Sequence, residues 1–296
     1  MMKIALLIFA VFLGFNAWAQ EGPPPKVFNT AFKKGTYYII KKPITPHARG
    51  VMVMLPGLTD AVYSPLFQSP LADSMYRNGY TIMIPVLSDD NMHLAIKDDD
   101  MQNLRLMLSN LLLTQFPHDH AMPIILGGMS VGGTIAIRFH QQYKAKLLKG
   151  NFNITRVYAV DPPLELARLH HSLKQMGDKV IADLLEDPFA SSGSLTEQLN
   201  SFSPINDTSV AGRAFNVTKL RIYCEPDINW YLAHDMQVSD MNVVDCSAFY
   251  RQLKHIPDNQ AELILTNNRG YRQPGHVRHP HAWSIIDVQD FMEWVL

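Results

Sequence analysis

Cysteine is nearly absent from the chain. Only Cys224 and Cys246 occur among 296 residues. Two thiols do not make a disulfide scaffold, and with no C-x-x-C pair structural zinc has no support. They read as two buried thiols or as a single disulfide. Charge is also scarce: Asp, Glu, Lys and Arg make up 18% of the chain, with a formal net charge of -1. That balance excludes the basic footprint of a nucleic-acid binder and any strong pull toward an anionic membrane. Internal repeats and low-complexity tracts are missing as well. What is plentiful is apolar residues, at 47%, enough over this length for one large globular core.

The N-terminus reads as a targeting signal. Met1-Met2-Lys3 is a short positive start, Ile4 to Phe15 an apolar run broken only by Gly14, and Ala17-Trp18-Ala19 a small-x-small cleavage site. The apolar run falls short of the about 20 residues that a membrane span needs. Residues 1–19 are therefore expected to be a signal peptide, and the mature chain to begin near Gln20 in an exported compartment, periplasmic or secreted, with no stable membrane span. No cysteine follows the cleavage site to carry a lipid. Asn153-Ile-Thr155, Asn206-Asp-Thr208 and Asn216-Val-Thr218 are sequons, relevant only in a host that glycosylates.

Residues 20–35, with Pro23, Pro24 and Pro25, read as a flexible lead-in. From residue 36 to 296 the pattern is that of one α/β domain. Thr36–Lys41 is β-branched and aromatic, as a strand should be. Val51–Leu55, Tyr80–Leu87, Met122–Leu126, Arg156–Val160, Leu220–Cys224 and Glu262–Thr266 are short, mostly apolar runs, the pattern of strands covered on both faces. Helical spacing falls between them, at Leu66–Asn78, His93–Phe116, Thr134–Tyr143, Ser247–Lys254 and Ile285–Leu296. Strand and helix in alternation imply a mostly parallel central sheet flanked by helices. Residues 164–211 break the rhythm with two amphipathic helical patterns and a polar Ser/Gly-rich run. The segment is too long for an ordinary connection and reads as a helical cap inserted over the active-site end.

The stretch on which the rest converges is Gly128-Met-Ser130-Val-Gly132. It lies between an apolar strand and a helical run, the context in which G-x-S-x-G holds a serine on a sharp turn with its hydroxyl exposed for attack. A serine hydroxyl is a weak nucleophile near neutral pH. It needs a base, and the base needs an orienting carboxylate. Ligands in such sheets sit beyond the carboxyl ends of the strands. His281, after the last strand and just ahead of the final helix, is the first candidate base, with His279 next and His276 in the same loop. Asp227, turned out of its strand by Pro226, is the first candidate acid. Glu225 and Asp161 are its competitors. Backbone N–H groups of Val131, immediately after the serine, and Leu58, in the loop after Val51–Leu55, are the expected oxyanion donors. Pro56 has no N–H to give, and Gly57 lets the backbone approach.

These features resemble the α/β-hydrolase superfamily. Leu55-Pro-Gly-Leu58, Gly128-x-Ser130-x-Gly132, an acid after Leu220–Cys224, and His281 before the last helix carry the resemblance, over residues 51–296. It implies an α/β-hydrolase fold with a central eight-stranded sheet, a variable cap at 164–211 and a serine–acid–histidine triad in the order Ser130, Asp227, His281. Many members of the superfamily carry His-Gly where this chain has Pro56-Gly57. Tyr223-Cys-Glu-Pro-Asp-Ile-Asn-Trp230 and Arg278-His-Pro-His-Ala-Trp-Ser-Ile-Ile-Asp287 further resemble a group of uncharacterised exported bacterial members. The activity so implied is hydrolysis of a small-molecule acyl substrate, first a carboxylic ester. A serine peptidase and a non-catalytic binding protein on the same fold are the alternatives. No cofactor and no metal are expected. His118-Asp119-His120 sits in a polar turn where imidazoles are ordinarily solvated, and Asp98-Asp99-Asp100 at a helix start answers the helix dipole.

Overall fold

The structure is a computed structural model that describes residues 25–29, 36–43, 47–88, 91–119, 121–189, 193–207 and 214–296. The signal segment 1–19 and the first part of the lead-in lie outside the described residues. Eight strands form one sheet: β1 (Lys26–Asn29), β2 (Tyr37–Lys41), β3 (Gly50–Leu55), β4 (Tyr80–Val86), β5 (Pro123–Met129), β6 (Asn153–Val160), β7 (Lys219–Cys224) and β8 (Ala261–Leu265). Their spatial order is β1-β2-β4-β3-β5-β6-β7-β8. β1 and β2 run antiparallel to their neighbours, and the other six are parallel. Every residue of β3 and β4 is buried, as a sheet covered on both faces requires.

The helices are α1 (Ser64–Phe67), α2 (Leu71–Arg77), α3 (Asp98–Gln115), α4 (Val131–Lys144), α5 (Leu166–Met176), α6 (Lys179–Glu186), α7 (Leu195–Phe202), α8 (Ile228–Leu232), α9 (Val243–Lys254) and α10 (Val288–Val295). Two cores result, one on each face of the sheet. One is built on Val51, Val53, Leu126, Ile135, Phe139 and Phe249, the other on Met52, Met54, Tyr158, Tyr223, Trp283 and Phe291. Alternate residues of β3 thus serve opposite faces. Among the described residues, no helix is long and apolar enough to cross a membrane.

Three departures from the sequence reading have local causes. Lys26–Asn29, within the expected lead-in, is a strand pairing with β2, with Phe28 stacked on Tyr38 at 5.3 Å. The helix expected over 66–78 is two short helices, since Pro70 lacks the N–H a continuous helix would use. The polar run before Asp207 contains α7, whose one buried residue is Leu199.

Segment α5–α7 is tied to the body by one buried ion pair. Arg168 on α5 donates from Nε and Nη2 to both carboxylate oxygens of Asp245 on α9, at 2.5 and 2.7 Å. The same carboxylate accepts from the Leu164 and Glu165 N–H groups. Asp245 is fully buried, so removing its partner leaves a charge without compensation. Arg168→Ala is expected to destabilise the protein by about 3–5 kcal/mol, read from urea unfolding midpoints. His140 on α4 is a second buried polar group. Its Nε2–H donates to the Ala214 carbonyl at 2.8 Å, and burial pushes its pKa down from 6.5 to about 3. A histidine whose folded pKa lies below its unfolded value stabilises fully above pH 6.5 and loses that contribution as pH falls toward 3. Wild type should therefore lose unfolding free energy on acidification from pH 6.5 to 4 faster than His140→Gln does.

Candidate active site

The turn after β5 is set by steric limits. A Cβ on Gly128 would lie 2.5 Å from the Leu55 carbonyl oxygen, and one on Gly132 would lie 2.3 Å from that oxygen and 2.4 Å from that of Pro56. Only glycine fits where the start of α4 presses on the end of β3. Between them Ser130 has φ 53° and ψ -130°, a conformation that costs a non-glycine residue about 1–3 kcal/mol. Its backbone is held by a hydrogen bond from the Ser130 N–H to the Val160 carbonyl at 2.8 Å. Ser130 lies just before α4, so its hydroxyl stands at the carboxyl end of the sheet.

The residue after Val160 is Asp161, also at positive φ, 45°. Its N–H donates to the Tyr223 carbonyl at 2.7 Å, and its side chain is 5% exposed. Asp161 Oδ2 accepts from His281 Nδ1 at 2.6 Å. A carboxylate accepts hydrogen bonds, so Nδ1 carries a proton toward Asp161, and Nε2 is the ring nitrogen left to face the serine. The chain of bonded neighbours Ser130, Val160, Asp161 and His281 places serine, carboxylate and imidazole at the ends of adjacent strands β5 and β6. Asn242, just before α9, braces Asp161, its Nδ2 donating to the Asp161 carbonyl at 2.9 Å and to Oδ2 at 3.4 Å.

The carboxylate against His281 is thus Asp161, not Asp227. Asp227 caps α8 by accepting from the Trp230 N–H at 3.1 Å and is paired with Arg278 Nη2 at 2.5 Å. Glu225 is not against His281 either. Its carboxylate is buried and accepts from the Thr266 hydroxyl, the Arg269 and Gly270 N–H groups and Arg278. It organises the loop that carries His281. Arg278 therefore draws both acids after β7 to itself. His281 is fixed from a further side by Arg272, whose Nε and Nη2 donate to its carbonyl at 3.2 and 3.0 Å.

His279 packs against Trp230 with ring centroids 4.8 Å apart, and its Nδ1 is buried without a hydrogen-bond partner. Burial, with Arg272 adding to it, pushes its pKa down from 6.5 to about 3. The ring is neutral over the range where a general base works. His276, third of the loop histidines, lies flat on Tyr271 at 4.1 Å.

Gly57 lies against the serine: a Cβ there would be 3.4 Å from Ser130 Cβ. Its N–H is used, donating to Asp60 Oδ2 at 3.2 Å. The loop is held by Asn91, which accepts from the Thr59 N–H at 2.9 Å through its carbonyl and donates from Nδ2 to the Asp60 carbonyl at 3.3 Å. Among the described residues the Leu58 N–H donates to no acceptor. Val131 is the first residue of α4, where an N–H has no acceptor within the helix. Asn91, Asn242 and Arg272 had no sequence signal that set them apart, and Arg278 stood in a quoted segment without a role of its own.

Both thiols are free and buried. Cys246 Sγ donates to the Pro162 carbonyl at 3.3 Å. Burial raises the pKa of each, which removes the thiolate that alkylating reagents need. Iodoacetamide at pH 7.5 should modify neither in the folded protein and both after denaturation, read by intact mass.

The sheet order, the serine turn after β5 and the final histidine loop together make the α/β-hydrolase fold. Solved structures with this fold include esterase B from Lactobacillus rhamnosis, similar over 98% of this chain and 93% of its own with a TM-score of 0.61 and 14% identity. An esterase from Pyrococcus furiosus matches over 92% and 88% with a TM-score of 0.58 and 16% identity. The acylaminoacyl peptidase of Pyrococcus horikoshii matches over 99% of this chain and 43% of its own, at 0.56 and 15%. No protein-family model and no curated protein matches the sequence.

Proposed function

We propose that the protein is a serine hydrolase that cleaves carboxylic esters through Ser130, His281 and Asp161. The observation that carries this reading is the 2.6 Å bond from His281 Nδ1 to the buried Asp161 carboxylate, one residue beyond the strand end that holds the Ser130 backbone. His281 Nε2 removes the Ser130 proton as Oγ bonds to the acyl carbon. The carbonyl electron pair moves onto oxygen, where the N–H groups of Val131 and Leu58 stabilise it. Collapse of this intermediate breaks the C–O bond to the leaving alcohol, which takes the proton from the imidazolium. Water repeats the sequence on the acyl-serine, releasing the acid and restoring Ser130. Asp161 keeps the imidazole in the right tautomer and offsets its transient charge. Asp227 has no part in these steps.

The esterases among the structures of similar fold support ester over amide chemistry, and an ester makes the lesser demand on leaving-group protonation. Hydrolysis of peptide bonds is the second reading, supported by the acylaminoacyl peptidase of similar fold. The signal-like segment 1–19 supports action outside the cytoplasm, with the mature chain starting near Gln20.

The test is labelling by a fluorophosphonate, together with ester hydrolysis. Wild type should label, and Ser130→Ala should not. A folded protein that fails to label would leave the non-catalytic binding reading in its place. Asp161→Asn should lower kcat by on the order of 10⁴. Asp227→Asn should leave kcat within about ten-fold, because asparagine keeps the cap of α8 and only a partly exposed ion pair with Arg278 is lost, at about 1 kcal/mol of stability. The opposite ranking would return the acid role to Asp227.

A further inference from the structure

A small cavity adjoins the oxyanion loop on the side away from His281. Its volume is about 20 Å³, and its walls include Leu55, Leu58, Leu87, Ala95, Val131 and Ile135. A space of about 10–15 Å³ on this measure holds one water molecule, so the cavity takes one or two heavy atoms. These apolar walls come from β3, the loops after β3 and β4, and α4, and the polar residues Ser88, Asn91 and His93 line the rest of this half-open pocket. In the sheet order β4-β3-β5-β6, the cavity lies toward β4 from Ser130, whereas Asp161 and His281 lie toward β6.

That placement separates the two halves of a substrate, on the reading that Ser130 and His281 act as proposed above. His281 must protonate the leaving alcohol, so the alcohol lies on the β6 side. The oxyanion is directed at the Val131 and Leu58 N–H groups. The remaining substituent on the reacting carbon is the acyl chain, and it points to the β4 side, into this cavity. We infer that the enzyme is selective for very short acyl groups, acetyl above all, and acts on acetate esters whose larger part is the alcohol.

The walls offer little give. Leu55 and Val131 are also the residues that shape the serine turn, Leu87 and Ala95 are buried in the core, and Ile135 packs within α4 against the sheet. A longer chain must displace packed side chains, which close-packed interiors resist, or turn out past Ser88, Asn91 and His93, where its methylenes meet polar groups and gain little. A single methylene misfit in an apolar pocket already changes rates by about 10–200-fold.

The experiment measures kcat/KM for p-nitrophenyl acetate, butyrate and octanoate with the full protein, alongside fluorophosphonate labelling and Ser130→Ala as the background. The expected result is labelling at Ser130, with acetate preferred over butyrate by about ten-fold or more and octanoate slower still. Ile135→Ala should relax the order by raising butyrate relative to acetate, and Ala95→Leu should lower acetate itself. The wild-type series stands without either variant. Labelling together with equal or rising rates up to octanoate overturns the acyl assignment and leaves the esterase reading intact. Labelling with no acetate hydrolysis also overturns it. Absence of labelling in the folded protein overturns the esterase reading and this inference with it.

Discussion

The contact on which the site depends is the approach of the start of α4 to the end of β3. Gly128 and Gly132 face the Leu55 and Pro56 carbonyls at distances no Cβ could tolerate. That closeness does two things at once. It forces Ser130 into an unfavourable backbone conformation, which lifts its side chain out of the turn. It also sets the loop after β3 beside the serine, with Gly57 against Ser130. The strain is offset by the parallel sheet around it, in which β3, β5 and β6 are paired along most of their lengths.

A second constraint is the competition for carboxylates at the ends of β6 and β7. Asp161, Glu225 and Asp227 all lie near the carboxyl ends of adjacent strands. Arg278 settles their division of labour. It pairs with Glu225 and Asp227, each at 2.5 Å, and so leaves Asp161 to the imidazole. Glu225 in turn gathers the backbone of the loop that delivers His281. Asp161 against His281, the acids that position the loop and the neutral His279 are thus parts of one arrangement.

Much of this was legible in order along the chain. Mostly apolar runs located the sheet strands from β3 to β8, and β-branched and aromatic residues located β2. The G-x-S-x-G turn was legible because its glycines answer a local steric demand. His281 was the first candidate for its place before the final helix, but position did not separate it from His276 and His279 in the same loop. Other features were weakly marked. β1 follows three prolines, and α7 buries little, so neither has a strong periodic signal.

What the sequence by itself determined is therefore the strand and helix alternation, the serine turn and the loop from which an imidazole is supplied, since each follows from local backbone sterics and apolar periodicity. Which acid meets that imidazole was decided only by tertiary structure. Asp161 and Asp227 each follow a strand and a turn-forming proline lies beside each, so local chemistry does not distinguish them. The distinction comes from Arg278, 51 residues from Asp227 along the chain, and from the 120-residue closure that brings His281 onto Asp161. Long-range pairing of charge and hydrogen bonds, invisible to spacing, assigns the two carboxylates to different work.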